Sequence, residues 1–164
     1  MISDTDFERV IVLDMLQVVY FTKAIMEKQL TRGQKSALLV TSSIAAYLTW
    51  IGAATYSSSK ACISAFSEAL HFEVKDKMDV TCWELGPAYS NIVEETPPSC
   101  VTLTAKKAVS HVLTHLGRTR RTTGSLFYDF FCLLIMSLPL GLVGNKVADA
   151  DRKKFLAKQQ RSRD

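Results

Sequence analysis

Apolar residues occur in nearly every turn of the first thirty positions, on all sides of the helix they would form. Thr5 and Glu8 have the spacing of a capping box, in which a hydroxyl and a carboxylate three residues later satisfy free backbone N–H groups. The pattern therefore predicts a long helix that begins near Thr5 and ends near Leu30. Because a helix that is apolar all round is covered on two sides, we expect one side to face a sheet and the other a second subunit.

A strand, a helix and a second strand follow in the hydrophobic pattern. Residues 37–40 form a continuous apolar run, which is typical of a parallel strand covered on both faces. Apolar residues then recur at helical spacing over 56–75. Residues 80–85 have the pattern of the next strand, which Gly86-Pro87 ends. Strands that alternate with helices predict an α/β layer around a parallel sheet.

Two further elements are predicted after this unit. Thr104 has the residue type and position of a helix N-cap, and Gly117 stands where that helix would end. A short strand is expected at 125–129, where aromatic and aliphatic residues follow a glycine. This strand would be the third of the sheet.

The rest of the chain is an uncharged run at 130–144, interrupted by Pro139 and followed by a basic tail. With fifteen residues, the run is shorter than the roughly eighteen expected of a spanning helix. Three interpretations remain open: an interfacial or substrate-entry segment, a helix packed in the core or on a subunit, and a membrane span. We therefore divide the chain into a domain at 1–129 and an apolar segment with a basic tail at 130–164.

Composition and charge exclude several classes of protein. With 164 residues, 48% of them hydrophobic and 22% charged, the chain suits one folded domain. Its net charge of +4 is small, and no aromatic residues interleave with the basic clusters, so we expect no nucleic acid partner. The four cysteines form no Cys-x-x-Cys pair; three of them fall in apolar helix or strand patterns, and on that basis buried thiols are expected. His111 and His115 are four residues apart but lack a third ligand, so we expect no metal site.

Ser43, Tyr56 and Lys60 form the group of residues with a clear chemical meaning. Tyr56 and Lys60 are four residues apart at the start of a predicted helix, so they share one face. A lysine cation beside a phenol favours the phenolate, which makes the tyrosine a usable acid and base for a carbonyl/alcohol couple. Ser43 ends a predicted parallel strand, at the sheet edge where ligands bind in α/β proteins. Its hydroxyl would hold the substrate oxygen beside Tyr56.

These residues belong to a wider pattern. The stretches 38–43 and 56–61, with Ser43 thirteen residues before Tyr56, resemble the catalytic core of short-chain dehydrogenases/reductases. The strand exit at 85–92 is similar to the family's Pro-Gly segment, with a leucine where the proline is usual. The resemblance implies a truncated Rossmann-type α/β layer of about three parallel strands with flanking helices, followed by an apolar C-terminal segment.

By this resemblance, the chain is an NADP- or NAD-dependent oxidoreductase that interconverts carbonyl and alcohol groups. Tyr56 would supply or take the proton, Lys60 would touch the nicotinamide ribose, and Ser43 would orient the substrate oxygen. The residues that the resemblance implies as cofactor contacts are Tyr56, Lys60, Gly86, Pro87 and Ser90.

The C-terminal part is similar to a membrane-associated branch of the family that includes 3-ketoacyl-CoA reductases and 17β-hydroxysteroid dehydrogenases. The similarity rests on 124–127, the apolar stretch after it and the basic tail. It implies a lipid-like substrate with a steroid or acyl carbonyl, and contact with a membrane surface. The implied location is the cytoplasmic side of the endoplasmic reticulum membrane, with the cytoplasm as the alternative. The helices at 6–30 and 56–75 correspond to the family's dimer interface, so a homo- or heterodimer is expected.

Two features depart from the family pattern. Among the seven glycines, no three have the spacing of the family's phosphate-binding turn, so we expect the first four strands to be absent and cofactor binding to be impaired. At the position of the family's proton-relay asparagine stands Asp14, which is charged and has no amide donor; we keep it as the fourth catalytic candidate. The alternative function is a non-catalytic fragment that binds a full-length relative. An incomplete sequence is the other alternative.

Overall fold

The N-terminal helix is continuous but contains one π-helical turn. The computed structural model describes residues 3–47, 51–89, 102–137, 152–153 and 156–157. Helix α1 spans Asp4–Ile11, a π-helical turn (the π-turn) follows at Val12–Leu16, and helix α2 spans Gln17–Gln29. In the π-turn, the Gln17 N–H donates to the Val12 carbonyl, five residues back instead of four. The predicted long helix is confirmed, and the π-turn is an addition to it.

Ser3, not Thr5, caps this helix. The Ser3 hydroxyl oxygen accepts the Asp6 backbone N–H at 3.2 Å and donates to the Asp6 carboxylate at 2.7 Å. Because the helix begins at Asp4, Thr5 lies inside its first turn and cannot cap it. The predicted capping box of Thr5 and Glu8 was therefore wrong by two residues, although the capping chemistry is the expected one.

Within this chain, the N-terminal helix is buried on one side only. Its inward side contributes Met15, Val18, Val19, Met26 and Leu30 to the main core. Its outward side exposes large apolar residues: Phe7, Val12, Leu13, Leu16, Tyr20 and Phe21. The predicted cover is correct for the sheet side. No described element of this chain packs over the outward residues, so the predicted cover by a second subunit stays a prediction.

A strand–helix–strand unit forms the centre of the fold. Strand β1 spans Ser36–Ser43, helix α3 spans Ala54–Val74 and strand β2 spans Met78–Leu85. The two strands pair in parallel and end together at their carboxyl ends. A short 3₁₀ turn at Ile44–Ala46 (the 3₁₀ turn) lies between β1 and α3. These bounds confirm the predicted helix and both predicted strands.

A small parallel pair leads from β2 to the next helix. Strand β3 at Ala88–Tyr89 pairs with β4 at Leu103–Thr104, and helix α4 follows at Ala105–His115. The Thr104 hydroxyl oxygen accepts a backbone N–H of the first helical turn at 3.4 Å. After the helix, Gly117 has a φ of +75°, which glycine adopts without the strain of a Cβ atom. Both predicted ends of this helix are confirmed.

The third strand of the main sheet lies earlier than predicted. Strand β5 at Arg121–Thr122 pairs in parallel with β2, so the sheet has the order β1-β2-β5 and the predicted parallel α/β layer is confirmed. The segment predicted as a strand at 125–129 instead begins helix α5, which spans Leu126–Ser137. The Asp129 carboxylate accepts the Thr123 backbone N–H at 2.8 Å and so fixes the turn that starts this helix. This local contact outweighs the strand preference of the aromatic residues.

Helices cover both faces of the sheet, although not evenly. The main core centres on Val40, Ile63, Leu70, Met78 and Val80 between the sheet and α3. On the opposite face, Trp83 packs against Ala108 and Val112 of α4. Because α4 packs over β2, Ala37 and Thr41 on that face of β1 are exposed, and the prediction that β1 is covered on both faces was wrong there. The division at 129/130 stays a prediction; α5 extends across it.

Candidate active site

The predicted site lies at the carboxyl edge of the parallel sheet. Ser43 is the last residue of β1, and in the paired register it lies beside Leu85 of β2. Its hydroxyl oxygen accepts the Ala45 backbone N–H at 3.2 Å and so caps the 3₁₀ turn. Because this bond uses a lone pair of the oxygen, the hydroxyl proton can still be donated to another oxygen. Ser43 is half-buried and lies at the edge of the sheet where α/β proteins bind ligands.

Tyr56 and Lys60 lie one turn apart near the start of α3, and both are half-buried. The Lys60 Nζ atom is 5.3 Å from the centre of the Tyr56 ring. The Ser59 hydroxyl donates to the Tyr56 carbonyl at 2.8 Å, and the Ser42 hydroxyl donates to the Lys60 carbonyl at 2.8 Å. Since Ser42 precedes Ser43 in β1, this last bond ties the turn that carries Lys60 to the end of the strand.

Asp14 contacts Lys60 from the N-terminal helix. It belongs to the π-turn, and its Oδ1 atom is 3.1 Å from Lys60 Nζ. The Lys60 side chain is 15% exposed and that of Asp14 is 30% exposed, so solvent screens this ion pair only in part. Turns of the π type often occur at functional sites. The structure therefore brings Asp14, Lys60 and Tyr56 together as a continuous set of contacts.

The exit of β2 is held beneath α5. A Cβ atom added at Gly86 would lie 2.9 Å from the Tyr128 ring, closer than Cβ atoms approach other groups in real structures. Tyr128 is buried and belongs to a small apolar cluster with Ile44. Glycine is therefore needed at 86 for close packing, whatever else it contacts. Pro87 is exposed, and Ser90, the other predicted cofactor contact, lies outside the described residues.

A buried carboxylate that the sequence analysis missed lies at the same edge. Glu84 of β2 is 2% exposed. One of its oxygens accepts two bonds from the Arg121 guanidinium, with Nε at 3.0 Å, and the other accepts the Tyr47 hydroxyl. Arg121 also pairs with Glu68 of α3 at 3.2 Å. A charge in a buried strand needs a partner, so the single glutamate in the apolar run 80–85 was the signal that could have revealed this group.

The four residues Tyr47, Glu84, Arg121 and Glu68 form one hydrogen-bonded and ion-paired group, which we call the Glu84 network. Burial, and then the hydrogen bond to Glu84 and its charge, raise the pKa of Tyr47 far above its usual range, so the phenol stays protonated and donates. Burial acts to lower the pKa of Arg121, but the hydrogen bond to Glu84 and its charge outweigh this and raise it. The guanidinium also lies 4.9 Å from the centre of the Tyr47 ring, a cation–π contact.

The cysteines are not all buried. Cys82 and Cys132 are buried, and burial first, then the charge of Glu84, raises the pKa of both thiols to about 11. Both therefore stay protonated at neutral pH. Cys62 is exposed on the outer face of α3, so the prediction of a buried thiol was wrong there. Cys100 lies outside the described residues.

Two further observations concern metals and membranes. In the described ranges, no three His, Cys, Asp or Glu side chains come together as they would around a metal ion. His115 instead places its Nδ1 atom 2.6 Å from the Thr122 hydroxyl. Among the helices of the described part, none combines the length and apolar character needed to cross a membrane.

Comparisons with known proteins match this chain to one family. The short chain dehydrogenase family model matches residues 1–100. A very-long-chain 3-oxoacyl-CoA reductase from Mycosarcoma maydis is 31% identical over 123 residues, which cover 74% of this chain and 35% of that protein. The chain thus spans about a third of the length of this curated relative.

Solved structures share the fold. The bulky-bulky ketone specific alcohol dehydrogenase from Comamonas testosteroni matches with a TM-score of 0.64 and 16% identity, over 96% of this chain and 56% of that one. A short-chain dehydrogenase from Sphingobium yanoikuyae in complex with NADPH matches with a TM-score of 0.66 and 16% identity, over 95% of this chain and 58% of that one. The family model covers well over half of the 164 residues. The chain therefore belongs to the short-chain dehydrogenase family.

Proposed function

We propose that this chain carries the proton-transfer residues of an NAD(P)-dependent oxidoreductase that interconverts a carbonyl and an alcohol on a lipid-like substrate. The observation that carries the proposal is the Lys60 ammonium, 5.3 Å from the centre of the Tyr56 ring, at the sheet edge where Ser43 ends β1. The 3-oxoacyl-CoA reductase relative supports a long-chain acyl substrate. A steroid carbonyl is the alternative of the same chemical class.

The side chains at this edge fit the nicotinamide end of an NAD(P) cofactor. Lys60 and Tyr56 offer a partly buried ammonium and a hydroxyl, the kinds of donor that bind ribose hydroxyls. Gly86 and Pro87 leave β2 at the same edge. The 164 residues contain no glycine-rich turn for the pyrophosphate, so the fit concerns this end of the cofactor alone. A cofactor bound there would supply or accept the hydride.

The residues of the chain account for the proton side of the reaction. In the reducing direction, the Tyr56 phenol donates its proton to the carbonyl oxygen, and the Ser43 hydroxyl donates a hydrogen bond to the same oxygen. The Lys60 ammonium stabilises the phenolate that remains. Asp14 restrains Lys60 through its ion pair at 3.1 Å and balances its charge. In the oxidising direction, the phenolate takes the proton from the alcohol.

The test combines cofactor binding with turnover. NADPH and NADH are titrated calorimetrically into the purified chain, and reduction of a long-chain 3-oxoacyl-CoA is followed at saturating cofactor. Tyr56→Phe should lower kcat by about a hundredfold or more, because it removes the acid/base group. Tyr20→Phe is the matched control, since Tyr20 is 68% exposed on the outward side of α2 and should retain activity. Equal activity of Tyr56→Phe and the unchanged chain would refute the proposal.

A second candidate function is that of a non-catalytic partner. It is favoured by the outward apolar side of α1, the π-turn and α2, where Leu13, Tyr20 and Phe21 are 61%, 68% and 67% exposed. Exposed apolar areas of this kind are typical of interaction sites. We propose that this side, together with Phe72 of α3, binds a second copy of the chain or a full-length relative.

Cofactor binding and light scattering separate the two candidates. A chain that does not bind NADPH or NADH up to millimolar concentration, but forms a dimer that Tyr20→Glu disrupts, would be a partner and not an enzyme. Leu126→Glu is the control, because Leu126 is 82% exposed on α5, away from the proposed dimer side. A monomer at all concentrations, alone and mixed with a full-length relative, would refute the partner function.

We also propose that α5 contacts a membrane surface, at the cytoplasmic side of the endoplasmic reticulum. Large apolar side chains of this helix are exposed: Leu126, Phe127, Phe130, Phe131, Leu133 and Leu134. Apolar helix faces of this kind bind at the boundary of headgroups and acyl chains. Co-sedimentation with vesicles that contain anionic lipid should fall for Phe130→Glu but not for Tyr20→Glu. If both variants sediment with the vesicles to the same extent, α5 does not contact the membrane, and the cytoplasmic alternative is favoured.

A further inference from the structure

The segment that carries Ser43 is held at its start and at its end. At the start, the Ser43 hydroxyl oxygen accepts the Ala45 N–H at 3.2 Å. At the end, the Tyr47 N–H donates to the Ile44 carbonyl at 3.0 Å. The Tyr47 hydroxyl then donates to the Glu84 carboxylate. The 3₁₀ turn therefore cannot move away from β2 without breaking a hydrogen bond to a buried charge.

The Glu84 carboxylate is itself fixed from two other elements. Arg121 of β5 donates to it from Nε at 3.0 Å and from a second guanidinium nitrogen. The same guanidinium pairs with Glu68 of α3 at 3.2 Å and lies 4.9 Å from the centre of the Tyr47 ring. Because a buried charge is stable only while it is partnered, conformations that release Tyr47 or Arg121 are disfavoured. The Glu84 network thus joins the 3₁₀ turn to β2, β5 and α3.

We propose that the Glu84 network positions the Ser43 hydroxyl for the carbonyl chemistry. This inference rests on the proposed function, in which Ser43 holds the substrate oxygen. Tyr47, Glu84 and Arg121 are positioning residues: they act through the 3₁₀ turn and do not touch the reacting atoms. Positioning matters because a displacement of about 1 Å at a reacting group costs about a hundredfold in rate.

Amide hydrogen exchange measured by NMR tests the network without requiring activity. Tyr47→Phe removes only the hydroxyl and keeps the ring beside Arg121. Protection of the Ala45 and Tyr47 amides should fall about tenfold or more, since a hydrogen bond to a charged group is lost. Protection of Ile63, in the core of α3, should fall less. The quantity compared is therefore the loss in the 3₁₀ turn relative to the loss in the core.

Thr81→Val is the matched control. The Thr81 side chain is fully buried; its hydroxyl donates to the Thr119 carbonyl at 2.7 Å and accepts the Gly117 N–H at 3.3 Å. This variant therefore also loses hydrogen bonds of a buried hydroxyl, but at a site away from the 3₁₀ turn. It should lower the protection of the turn no more than that of the core. Equal relative losses in Tyr47→Phe and Thr81→Val would overturn the proposal, as would unchanged protection of the turn in Tyr47→Phe. Glu84→Gln, which removes the charge, should reproduce the local loss.

Turnover gives the second measurement. Tyr47→Phe should lower kcat about tenfold and change KM little, because the misplaced hydroxyl no longer meets the substrate oxygen in the transition state. In a Ser43→Ala background, the same substitution should have no further effect on kcat. Thr81→Val should leave kcat unchanged. Failure of the unchanged chain to turn over substrate would count against the proposed function alone, and the exchange comparison would still decide whether the network holds the turn.

Discussion

Removal of the Arg121 guanidinium should destabilise the fold much more than removal of the neighbouring Arg120 guanidinium. Both arginines contact Glu68, at 3.2 Å and 3.6 Å respectively. Only Arg121 also binds Glu84, whose side chain is 2% exposed. Arg121→Ala therefore leaves a buried carboxylate that keeps only the Tyr47 hydroxyl as a side-chain partner among the described residues, whereas Arg120→Ala removes a pair at the protein surface.

The expected magnitudes follow from exposure. Breaking a buried ion pair costs about 3–5 kcal/mol, because the remaining charge is no longer compensated. Since the Arg121 side chain is 27% exposed, water replaces part of what is lost, and we expect the lower end of that range, about 3 kcal/mol. The Arg120 side chain is 50% exposed and that of Glu68 34%, so Arg120→Ala should cost at most about 1 kcal/mol.

Urea unfolding and thermal melts measure the difference. For a chain of this length, about 3 kcal/mol corresponds to a decrease in Tm of about 6–12 °C, against less than about 4 °C for Arg120→Ala. Glu84→Leu in the Arg121→Ala background should recover part of the loss, because it removes the stranded charge. Equal destabilisation by Arg121→Ala and Arg120→Ala, or a further loss in the double variant, would refute the reasoning.

Three other substitutions test other parts of the structure. The folded pKa of Cys82, about 11, lies above 9.0 for an unperturbed thiol, so the unfolded chain loses this proton first as the pH rises. The contribution of the Cys82 thiol to the free energy of unfolding should therefore fall by roughly 2–3 kcal/mol between about pH 9 and 11. Cys82→Ala removes this contribution and should make urea unfolding less pH-dependent in that range. Gly86→Ala should lower the free energy of unfolding by about 1–3 kcal/mol, because the added Cβ atom would lie 2.9 Å from the Tyr128 ring. Thermal melts measure the change, and an unchanged Tm would contradict that packing. Asp14→Ala should lower the free energy of unfolding in urea by about 1 kcal/mol, since the pair of Asp14 with Lys60 is partly buried. Arg9→Ala removes a pair whose side chains are 59–71% exposed and should lower it by almost nothing, so equal losses would contradict the burial argument.

The centre of the fold was predictable because its signals are local and long. The run at 37–40 and the helical spacing over 56–75 each span enough residues to define one element, and Gly86-Pro87 marks where the second strand ends. The third strand was not predictable in this way, because β5 has only two residues and is defined by its pairing with β2. The aromatic residues after it favoured a strand, but the Asp129 carboxylate on the Thr123 N–H starts a helix there.

Part of the candidate site was likewise predictable from the sequence, and part of it was not. Ser43, Tyr56 and Lys60 were found from residue type and spacing within eighteen positions of the chain. Glu84 and its partner Arg121 are thirty-seven residues apart, and only the register of β2 against β5 brings them together. A lone glutamate in an apolar strand indicates that a partner exists, but it does not say which of the twenty basic residues it is.

The two halves of the site are linked through a single pair of neighbouring residues in the sheet. Ser42 of β1 and Glu84 of β2 are directly opposite each other in the parallel register. Ser42 donates to the Lys60 carbonyl at 2.8 Å and so holds the turn of α3 that carries the ammonium. Glu84 accepts the Tyr47 hydroxyl and so holds the 3₁₀ turn after Ser43. Because both anchors lie on strands that are themselves paired, the sheet holds the turn of α3 that carries Lys60 and the 3₁₀ turn after Ser43 at a fixed spacing. We therefore expect a change at Ser42 or Glu84 to move one of these two turns relative to the other.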